Sequence, residues 1–397
     1  MKRIPRGPRD TRALVAERWQ LLGGGPEARA ALADESTLAE MARFERNIEN
    51  FIGTVKVPAG IAGPLRVAGS HARGDYFIPL ATTEATLVAS YSRGAQLISE
   101  AGGCATAVLA EGVSRSPGFA FRTLAQAARF ASWIESQVEA LAAVAAGTTS
   151  HGRLGGMRAT VEGNHVYVNL EFCTGEAAGQ NMVTIATAAI LRHIAACSPV
   201  KHEYCFLEAN HSGDKKASAH SLGRVRGKRV SAEVRIPRSI LAERLHASPE
   251  RMTDYWRMAA LGGVLSGTIG VQGQFANGLA AFYIACGQDA ACVAESAVGV
   301  TRLEIAGDGG LYASVTLPNV IVGAVGGGTG LPSQRACIEI LRRCGPADTR
   351  ALAEVCAALA LSGELSLIGA MCSGDFARAH AGRARGINLP RQEIAHA

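Results

Sequence analysis

The sequence is poor in aromatic residues, and it lacks a long uninterrupted apolar run. Only 5% of its 397 residues are Phe, Trp or Tyr. The most apolar stretch, 182–191, ends at Arg192, and the apolar region 351–372 contains Glu354 and Glu364. A membrane-spanning helix needs about 20 consecutive apolar residues, and the basic N-terminus lacks the apolar stretch of a signal peptide. We therefore expect a soluble protein that does not bind a membrane.

Cysteine pairs with metal-site spacing and a strong net charge are also missing. The ten cysteines are scattered without a C-x-x-C motif, which predicts reduced thiols in a cytoplasmic protein and no metal site. The net charge is only +6. Basic residues concentrate in the N-terminal tail and in a short run that contains Arg224, Arg226, Lys228 and Arg229. Nucleic-acid binding needs a longer basic stripe, so we interpret both as solvated charge and expect no nucleic-acid partner.

The pattern of segments favours an α+β fold. A hydrophobic content of 48% predicts a large core, and the length predicts two or three domains. Residues 1–45 have a helical pattern, and 51–80 have short β-rich runs separated by Gly and Pro. The order of helices and strands is mixed, without the regular alternation of a doubly wound sheet. The predicted helices include 83–101 with Glu84 in its first turn, 124–146, 182–197 and 259–289.

The usual signatures of nucleotide and hydrolase sites are absent. The chain has no G-x-G-x-x-G, P-loop, G-x-S-x-G or H-E-x-x-H motif, so a dinucleotide site would have to be of a non-Rossmann type. Four short segments carry candidate acid, base or cationic groups, and each taken singly is more often structural: Thr82-Thr83-Glu84, Asp214-Lys215-Lys216, Cys286-Gly287-Gln288-Asp289 and Ala379-His380.

Several segments, taken in chain order, carry a family resemblance. They are Glu49-Asn50-Phe51-Ile52-Gly53, Pro58-Ala59-Gly60-Ile61-Ala62-Gly63-Pro64-Leu65, Thr82-Thr83-Glu84, Asp214-Lys215-Lys216, Gly287-Gln288-Asp289, Val325-Gly326-Gly327-Gly328-Thr329 and Gly363-Glu364-Leu365-Ser366-Leu367. Together they resemble the soluble catalytic portion of 3-hydroxy-3-methylglutaryl-coenzyme A (HMG-CoA) reductases over roughly 44–389, without the membrane anchor of the animal enzymes.

The resemblance implies the reduction of an acyl-CoA thioester to an alcohol with two hydrides from NADPH or NADH. Such chemistry needs a cation at the carbonyl oxygen and proton donors for the alkoxide and the thiolate. By resemblance, Lys215 is the oxyanion-stabilising cation, and Glu84 donates the proton to the aldehyde oxygen. Asp289 bridges Lys215 and Glu84, and His380 protonates the thiolate of coenzyme A.

The resemblance also implies a cofactor-binding segment and leaves the choice of nicotinamide open. The implied cofactor residues are Glu176, Gly179, Gln180, Asn181, Met182, Val325, Gly326 and Gly327. A helix that begins beside glycine lets backbone N–H groups approach a pyrophosphate. Ser150 stands where an arginine often meets the 2′-phosphate of NADPH in the family, so NADH is a second possibility, although Arg153 lies nearby.

The substrate-binding residues are only partly retained. The residues implied to bind the substrate or its coenzyme A are Arg93, Arg115, Lys216 and Asn277. Glu208 and Met258 occupy positions where the family holds the substrate carboxylate with a serine and a lysine, and Arg257 lies beside Met258. The first hypothesis is therefore the conversion of HMG-CoA to mevalonate and coenzyme A. The alternative is the same chemistry on a different acyl thioester.

The family resemblance further implies domains and an assembly. A helical segment 1–45 precedes a large substrate and coenzyme A domain formed by 46–103 and 214–375. A small, ferredoxin-like cofactor domain, 104–213, is inserted, and 376–397 carries His380. A homodimer or a dimer of dimers is expected, with the active site at the dimer interface.

Overall fold

The computed structural model describes residues 3–376, and within them the fold is α+β as predicted. The helices are α1 (Arg12–Leu22), α2 (Pro26–Leu32), α3 (Glu35–Ala39), α4 (Leu87–Glu100), α5 (Leu124–Glu135), α6 (Val138–Ala146), α7 (Gln180–Cys197), α8 (His220–Gly223), α9 (Arg238–Leu245), α10 (Pro249–Ser266), α11 (Phe275–Ala285), α12 (Val293–Ser296), α13 (Pro332–Cys344) and α14 (Thr349–Ser373). The strands are β1 (Ala59–Gly69), β2 (Arg73–Ala81), β3 (Cys104–Arg115), β4 (Gly118–Ala120), β5 (Arg153–Glu162), β6 (His165–Cys173), β7 (Tyr204–Phe206), β8 (Gly227–Ile236), β9 (Val300–Ile305) and β10 (Leu311–Val320). Short 3₁₀ helices cover Met41–Arg43, Ala290–Cys292 and Gly327–Gly330.

One long strand, β3, belongs to two sheets. Its first part, 105–112, pairs with β8 in a sheet of order β2-β1-β3-β8-β10-β9. Its last three residues, 113–115, pair with β6 in a second sheet. The strand therefore carries the chain from one sheet into the other without a linker, and it delivers Arg115 to the junction between them.

The second sheet has the ferredoxin-like arrangement that the resemblance implies. The antiparallel pairings give the order β7-β4-β6-β5. Helices α5 and α6 connect β4 to β5, and α7 connects β6 to β7, which is the split βαβ pattern of this fold. The apolar faces of the three helices and the sheet share one hydrophobic core, which includes Phe119, Phe130, Val168 and Ile190.

The larger core surrounds helix α14. Nearly all of its residues from Thr349 to Ala370 are buried, and it packs on α4, α11, β8 and β10. Within the described part of the chain, α14 is the one helix long and apolar enough to cross a membrane, but 83% of its most apolar window is buried inside the protein. Its apolar surface is covered by the protein itself, as in the core helix of a soluble protein.

Three helix predictions needed correction, each for a local reason. The helix predicted from residue 83 begins at Leu87, because Thr86 has a left-handed φ of 71°. The segment 124–146 forms two helices, and the Ser136 hydroxyl donates to the carbonyl of Trp133 at the break. The segment 259–289 is also interrupted, since α10 ends at Ser266 and is followed by Gly267, whose φ is 74°. The helices predicted at the N-terminus and at 182–197 are confirmed.

We predict that Gly94→Ala destabilises the fold through the contact between α4 and α14. A β-carbon at Gly94 would lie 1.9 Å from the carbonyl oxygen of Ser362, so the two helices would have to separate. The expected loss is about 1–3 kcal/mol, measured by urea unfolding. The matched control is Gly307→Ala, since no atom lies within 4 Å of that added carbon. Equal unfolding free energies of the two variants would contradict this packing argument.

Candidate functional site

The candidate catalytic residues that the structure describes form two separate groups. Lys215 pairs with Asp289, whereas Glu84 contacts Asn277 near the beginning of α11. Asp289 lies four residues beyond the end of the same helix. Within the described residues, no hydrogen bond or ion pair joins Glu84 to Lys215 or Asp289, so the bridging role implied for Asp289 is not seen in a single chain. His380 lies outside the described residues.

The ammonium group of Lys215 is held charged by Asp289. Nζ lies 2.7 Å from Oδ2 of Asp289, and both side chains are 43% exposed. The hydrogen bond to Asp289 raises the pKa of Lys215 above its ordinary value, against a smaller lowering by burial. Asp289 is itself fixed, because its Oδ1 accepts a hydrogen bond from the backbone N–H of Ala291. The pair presents a positioned cation at an accessible place, as the stabilisation of a developing oxyanion requires.

The backbone at Lys215 adopts a rare conformation. Its φ is +57°, which is uncommon for a residue with a side chain and has to be maintained by its surroundings. The N–H of Lys215 donates to Oε1 of Glu295 at 3.0 Å. On the following residue, Nζ of Lys216 donates to the carbonyl of Asp214 at 2.9 Å. Both lysines therefore project from a loop whose shape is set by hydrogen bonds.

Two buried arginines hold Asp214, the residue before Lys215. Arg115, at the end of β3, lies 2.6 Å from Oδ2 of Asp214, and Arg226 lies 2.6 Å from Oδ1. Both guanidinium groups also donate to Oε1 of Gln180, at 3.3 and 2.6 Å. Gln180 is the first residue of α7. Arg115 and Gln180 are thus brought together with Lys215, but their polar groups are engaged with protein partners.

The sequence analysis did not anticipate that Arg226 and Glu295 form a buried ion pair beside Lys215. The run 224–229 was interpreted as solvated charge, yet the side chain of Arg226 is 3% exposed and Lys228 is also buried. Burial lowers the pKa of Lys228. Arg226 immediately precedes β8, and Lys228 is the second residue of this strand. Local sequence carries no signal for this burial, because a basic strand end is usually solvated.

The second group is anchored from α14. The Glu364 carboxylate accepts hydrogen bonds from the backbone N–H groups of Gly273 and Gln274, immediately before α11. Burial raises the pKa of Glu364. This contact fixes the beginning of the helix that carries Asn277, whose amide donates to both oxygens of Glu84 at 3.2 and 3.3 Å. Glu84 was predicted to lie in the first turn of a helix, but it lies in a turn before α4, and its carboxylate contacts the side-chain amide of Asn277.

The cofactor segment forms an open helix N-terminus. Gly179 precedes α7 with a left-handed φ of 79°, and no side chain caps the helix. A β-carbon at Gly179 would lie 2.3 Å from Thr174, so glycine is required there. The first N–H groups of α7, which include those of Asn181 and Met182, face no capping side chain and can bind an anion such as a pyrophosphate.

The glycine loop after Val325 lies beside this segment. Ala177 forms a parallel bridge with Val325, and the N–H of Ala324 donates to the carbonyl of Glu176. Gly326 and Gly327 follow with positive φ values. The Glu176 carboxylate, however, accepts hydrogen bonds from the N–H and the hydroxyl of Thr349 at the beginning of α14. The observed partner of Glu176 is therefore the N-terminus of α14.

The remaining substrate candidates are dispersed. Arg93 on α4 donates to the hydroxyl and carbonyl oxygens of Ser366. Glu208 accepts hydrogen bonds from the backbone N–H groups of Ser116 and Asn210, so its carboxylate braces the turn after Arg115. Met258 on α10 is 76% exposed, and the adjacent Arg257 pairs with Asp254.

We predict that Asp289→Asn lowers the pKa of Lys215, because a neutral amide replaces the carboxylate that raises it. Lys215 would then lose its proton at a lower pH than in the unchanged protein. The titration can be followed by the NMR signal of ¹³C-methylated Lys215, assigned with a Lys215→Arg variant. The control is Asp75→Asn, which removes the carboxylate partner of Arg66 from an exposed ion pair between β1 and β2. An unchanged midpoint in Asp289→Asn would refute the pairing.

The chain is similar to known proteins along most of its length. The family model of hydroxymethylglutaryl-coenzyme A reductase matches residues 14–385. The 3-hydroxy-3-methylglutaryl-coenzyme A reductase of Aeropyrum pernix is 43% identical over 343 residues, which are 85% of this chain and 81% of that protein. The enzyme of the same name from Pyrococcus horikoshii is 40% identical over 343 residues, covering 84% of this chain and 83% of the relative.

A solved structure shares the fold. The class II 3-hydroxy-3-methylglutaryl-CoA reductase of Streptococcus pneumoniae, bound to NADPH in open conformations, superposes with a TM-score of 0.68 at 20% sequence identity. The match covers 90% of this chain and 97% of that one. With the extent of the family match and the identity to the archaeal relatives, these similarities show that the chain belongs to the hydroxymethylglutaryl-coenzyme A reductase family.

Proposed function

We propose that this protein reduces HMG-CoA to mevalonate and coenzyme A at the expense of two molecules of NADPH or NADH. The observation that carries the proposal is the Lys215–Asp289 ion pair of 2.7 Å, on a loop fixed by buried charges and adjoining the open end of α7. The family match and the archaeal relatives favour HMG-CoA over another acyl thioester.

The chemistry assigns a separate task to each proposed catalytic group. A first hydride adds to the thioester carbon, and Lys215 stabilises the negative charge that develops on the oxygen. The C–S bond then breaks to give an aldehyde and a thiolate, for which we propose His380 as proton donor. A second hydride adds to the aldehyde carbon, and Glu84 protonates the resulting alkoxide. Asp289 keeps Lys215 charged throughout.

The cofactor supplies the two hydrides when it is bound. We assign its pyrophosphate to the N-terminus of α7, where Gly179 allows the turn and the N–H groups of Gln180, Asn181 and Met182 begin the helix. Val325, Gly326 and Gly327 would form the opposite wall, because this loop already contacts 177. Glu176 is assigned to bracing the segment against Thr349.

Substrate binding is assigned to the charged and polar groups around the two clusters. Arg115 and Lys216 lie beside Lys215, Asn277 lies beside Glu84, and Arg93 is proposed to meet the coenzyme A portion. Both oxygens of Glu208 accept backbone hydrogen bonds, so its carboxylate is directed at the turn after Arg115. Its presence is therefore compatible with a carboxylate substrate held by Arg115.

We further propose that a homodimer, or a dimer of dimers, completes the site. Asn277 and Asp289 lie toward opposite ends of α11, whose 11 residues span about 16 Å. We therefore assign Glu84 and Lys215 of one chain to two different active sites. Helix α10 also presents an exposed apolar face formed by Met258, Leu261, Val264 and Leu265, a feature typical of an interface. A second chain would bring its Lys215 cluster to Glu84.

We propose the domain division that the family resemblance implies: a helical segment 1–45, a large domain formed by 46–103 and 214–375, a cofactor domain 104–213 and a C-terminal segment 376–397. Three separate hydrophobic clusters among the described residues support it. We place the protein in the cytoplasm, a location compatible with ten free cysteines.

The first test is turnover by the purified protein with HMG-CoA, run in parallel with NADPH and NADH, with mevalonate identified by mass. We expect mevalonate, and we expect Lys215→Ala to lower kcat by at least about 10²–10³ because the oxyanion loses its cation. Lys56→Ala, which removes an exposed lysine paired with Asp34, should leave kcat unchanged. Absence of turnover by the unchanged protein, or full activity of Lys215→Ala, would overturn the proposal.

The shared site is tested with hybrid dimers. Chains carrying Glu84→Gln and chains carrying Lys215→Ala are given different affinity tags, co-expressed and purified by both tags. Because a hybrid contains one site with both residues intact, we expect about half of the original activity. The control is a doubly tagged dimer in which both chains carry Lys215→Ala. An inactive hybrid would place each site within one chain.

A further inference from the structure

We infer that Arg226 and Glu295 are positioning residues that hold Lys215 in its reactive conformation and join it to the cofactor segment. The inference rests on the proposed function, and it concerns two residues to which that mechanism gives no chemical task. It follows from the contacts of a buried charged cluster, here called the Arg226 network, formed by Arg115, Asp214, Arg226 and Glu295.

Arg226 is the centre of this network. Its Nη1 lies 2.5 Å from Glu295, and its Nη2 lies 2.6 Å from both Asp214 and Gln180. Its backbone N–H donates to Oδ1 of Asn319 at 2.8 Å. The guanidinium group is planar and cannot satisfy these partners in another orientation, so a single side chain fixes the relative positions of three separate segments of the chain.

The network acts on Lys215 from two directions. Asp214, the preceding residue, is held by Arg115 and Arg226. Glu295 accepts the backbone N–H of Lys215 itself, with the same oxygen that binds Arg226. A residue with φ of +57° stays in that conformation only when its surroundings impose it. The Arg226 network supplies this restraint, while Asp289 acts at the other end of the side chain.

The network is poorly suited to be a device for stability alone. It places two carboxylates and two guanidinium groups in a buried place, and such groups are often replaced by apolar residues without loss of stability. Among the described residues, Oε2 of Glu295 and Nε of Arg226 have no hydrogen-bond partner. Unpartnered buried polar atoms carry a desolvation cost, so stability alone does not account for this arrangement.

The link to Gln180 extends the restraint to the cofactor. Gln180 begins α7, the helix to which we assign the pyrophosphate, and its Oε1 accepts from both Arg226 and Arg115. The nicotinamide must approach the carbon whose oxygen faces Lys215, so the distance between α7 and Lys215 matters directly for hydride transfer. A misplacement of about 1 Å can lower a rate about 100-fold.

The test compares Arg226→Lys and Glu295→Gln with a matched control, Glu354→Gln. Glu354 is as buried as Glu295, and it accepts backbone N–H groups of His71 and Ala72 at the turn between β1 and β2, remote from Lys215. We expect the two network variants to lower kcat by roughly 10- to 100-fold while the KM for the cofactor changes less than about threefold. The control should lower the melting temperature without changing kcat.

A second readout does not depend on turnover. The NMR signal of ¹³C-methylated Lys215 should shift in both network variants and remain in place in Glu354→Gln. An unchanged Lys215 signal, or an unchanged kcat in an active enzyme, would overturn the inference. If the unchanged protein fails to reduce HMG-CoA, the proposed function fails, and the Lys215 signal still decides whether the network positions this residue.

Discussion

Two buried carboxylates on one helix organise the larger part of this protein. Helix α14 passes through the core, and it carries Glu354 and Glu364 in an otherwise apolar sequence. Glu354 accepts hydrogen bonds at the turn between β1 and β2, and Glu364 accepts them at the beginning of α11. Since a buried carboxylate must find donors, these two residues fix the position of the outer elements relative to the core. The place of Asn277, and with it that of Glu84, follows from the Glu364 contact alone.

The position of Lys215 depends on a strand that is shared by the two sheets. Strand β3 belongs to both sheets, and its last residue, Arg115, lies where they meet. There it faces Gln180, the first residue of α7, and Asp214, the residue before Lys215. Lys215 is thus positioned by the junction between the two cores, whereas Glu84 is positioned by the centre of one of them. This division is the physical basis of our proposal that a second chain completes the site.

Sequence patterns predicted the elements better than their ends. The α+β class, the helix that begins near Met182 and the glycine loop after Val325 were all recognisable from local residues. The errors occurred at helix interruptions such as Thr86 and Gln137, where a single residue leaves the helical region. A hydrophobic pattern continues across such a break, since it records burial and not the hydrogen bonds of the backbone.

The sequence by itself determined the family of this protein and the chemical types of its candidate groups, because motifs such as Asp214-Lys215-Lys216 and Gly287-Gln288-Asp289 are local and keep their order. The tertiary structure decided which of these groups meet. It paired Lys215 with Asp289 and Glu84 with Asn277, engaged Glu176 and Glu208 with backbone donors, and buried Arg226 beside Glu295. Contacts of this kind join residues far apart in the chain, and their burial depends on the elements packed around them, which no local pattern records.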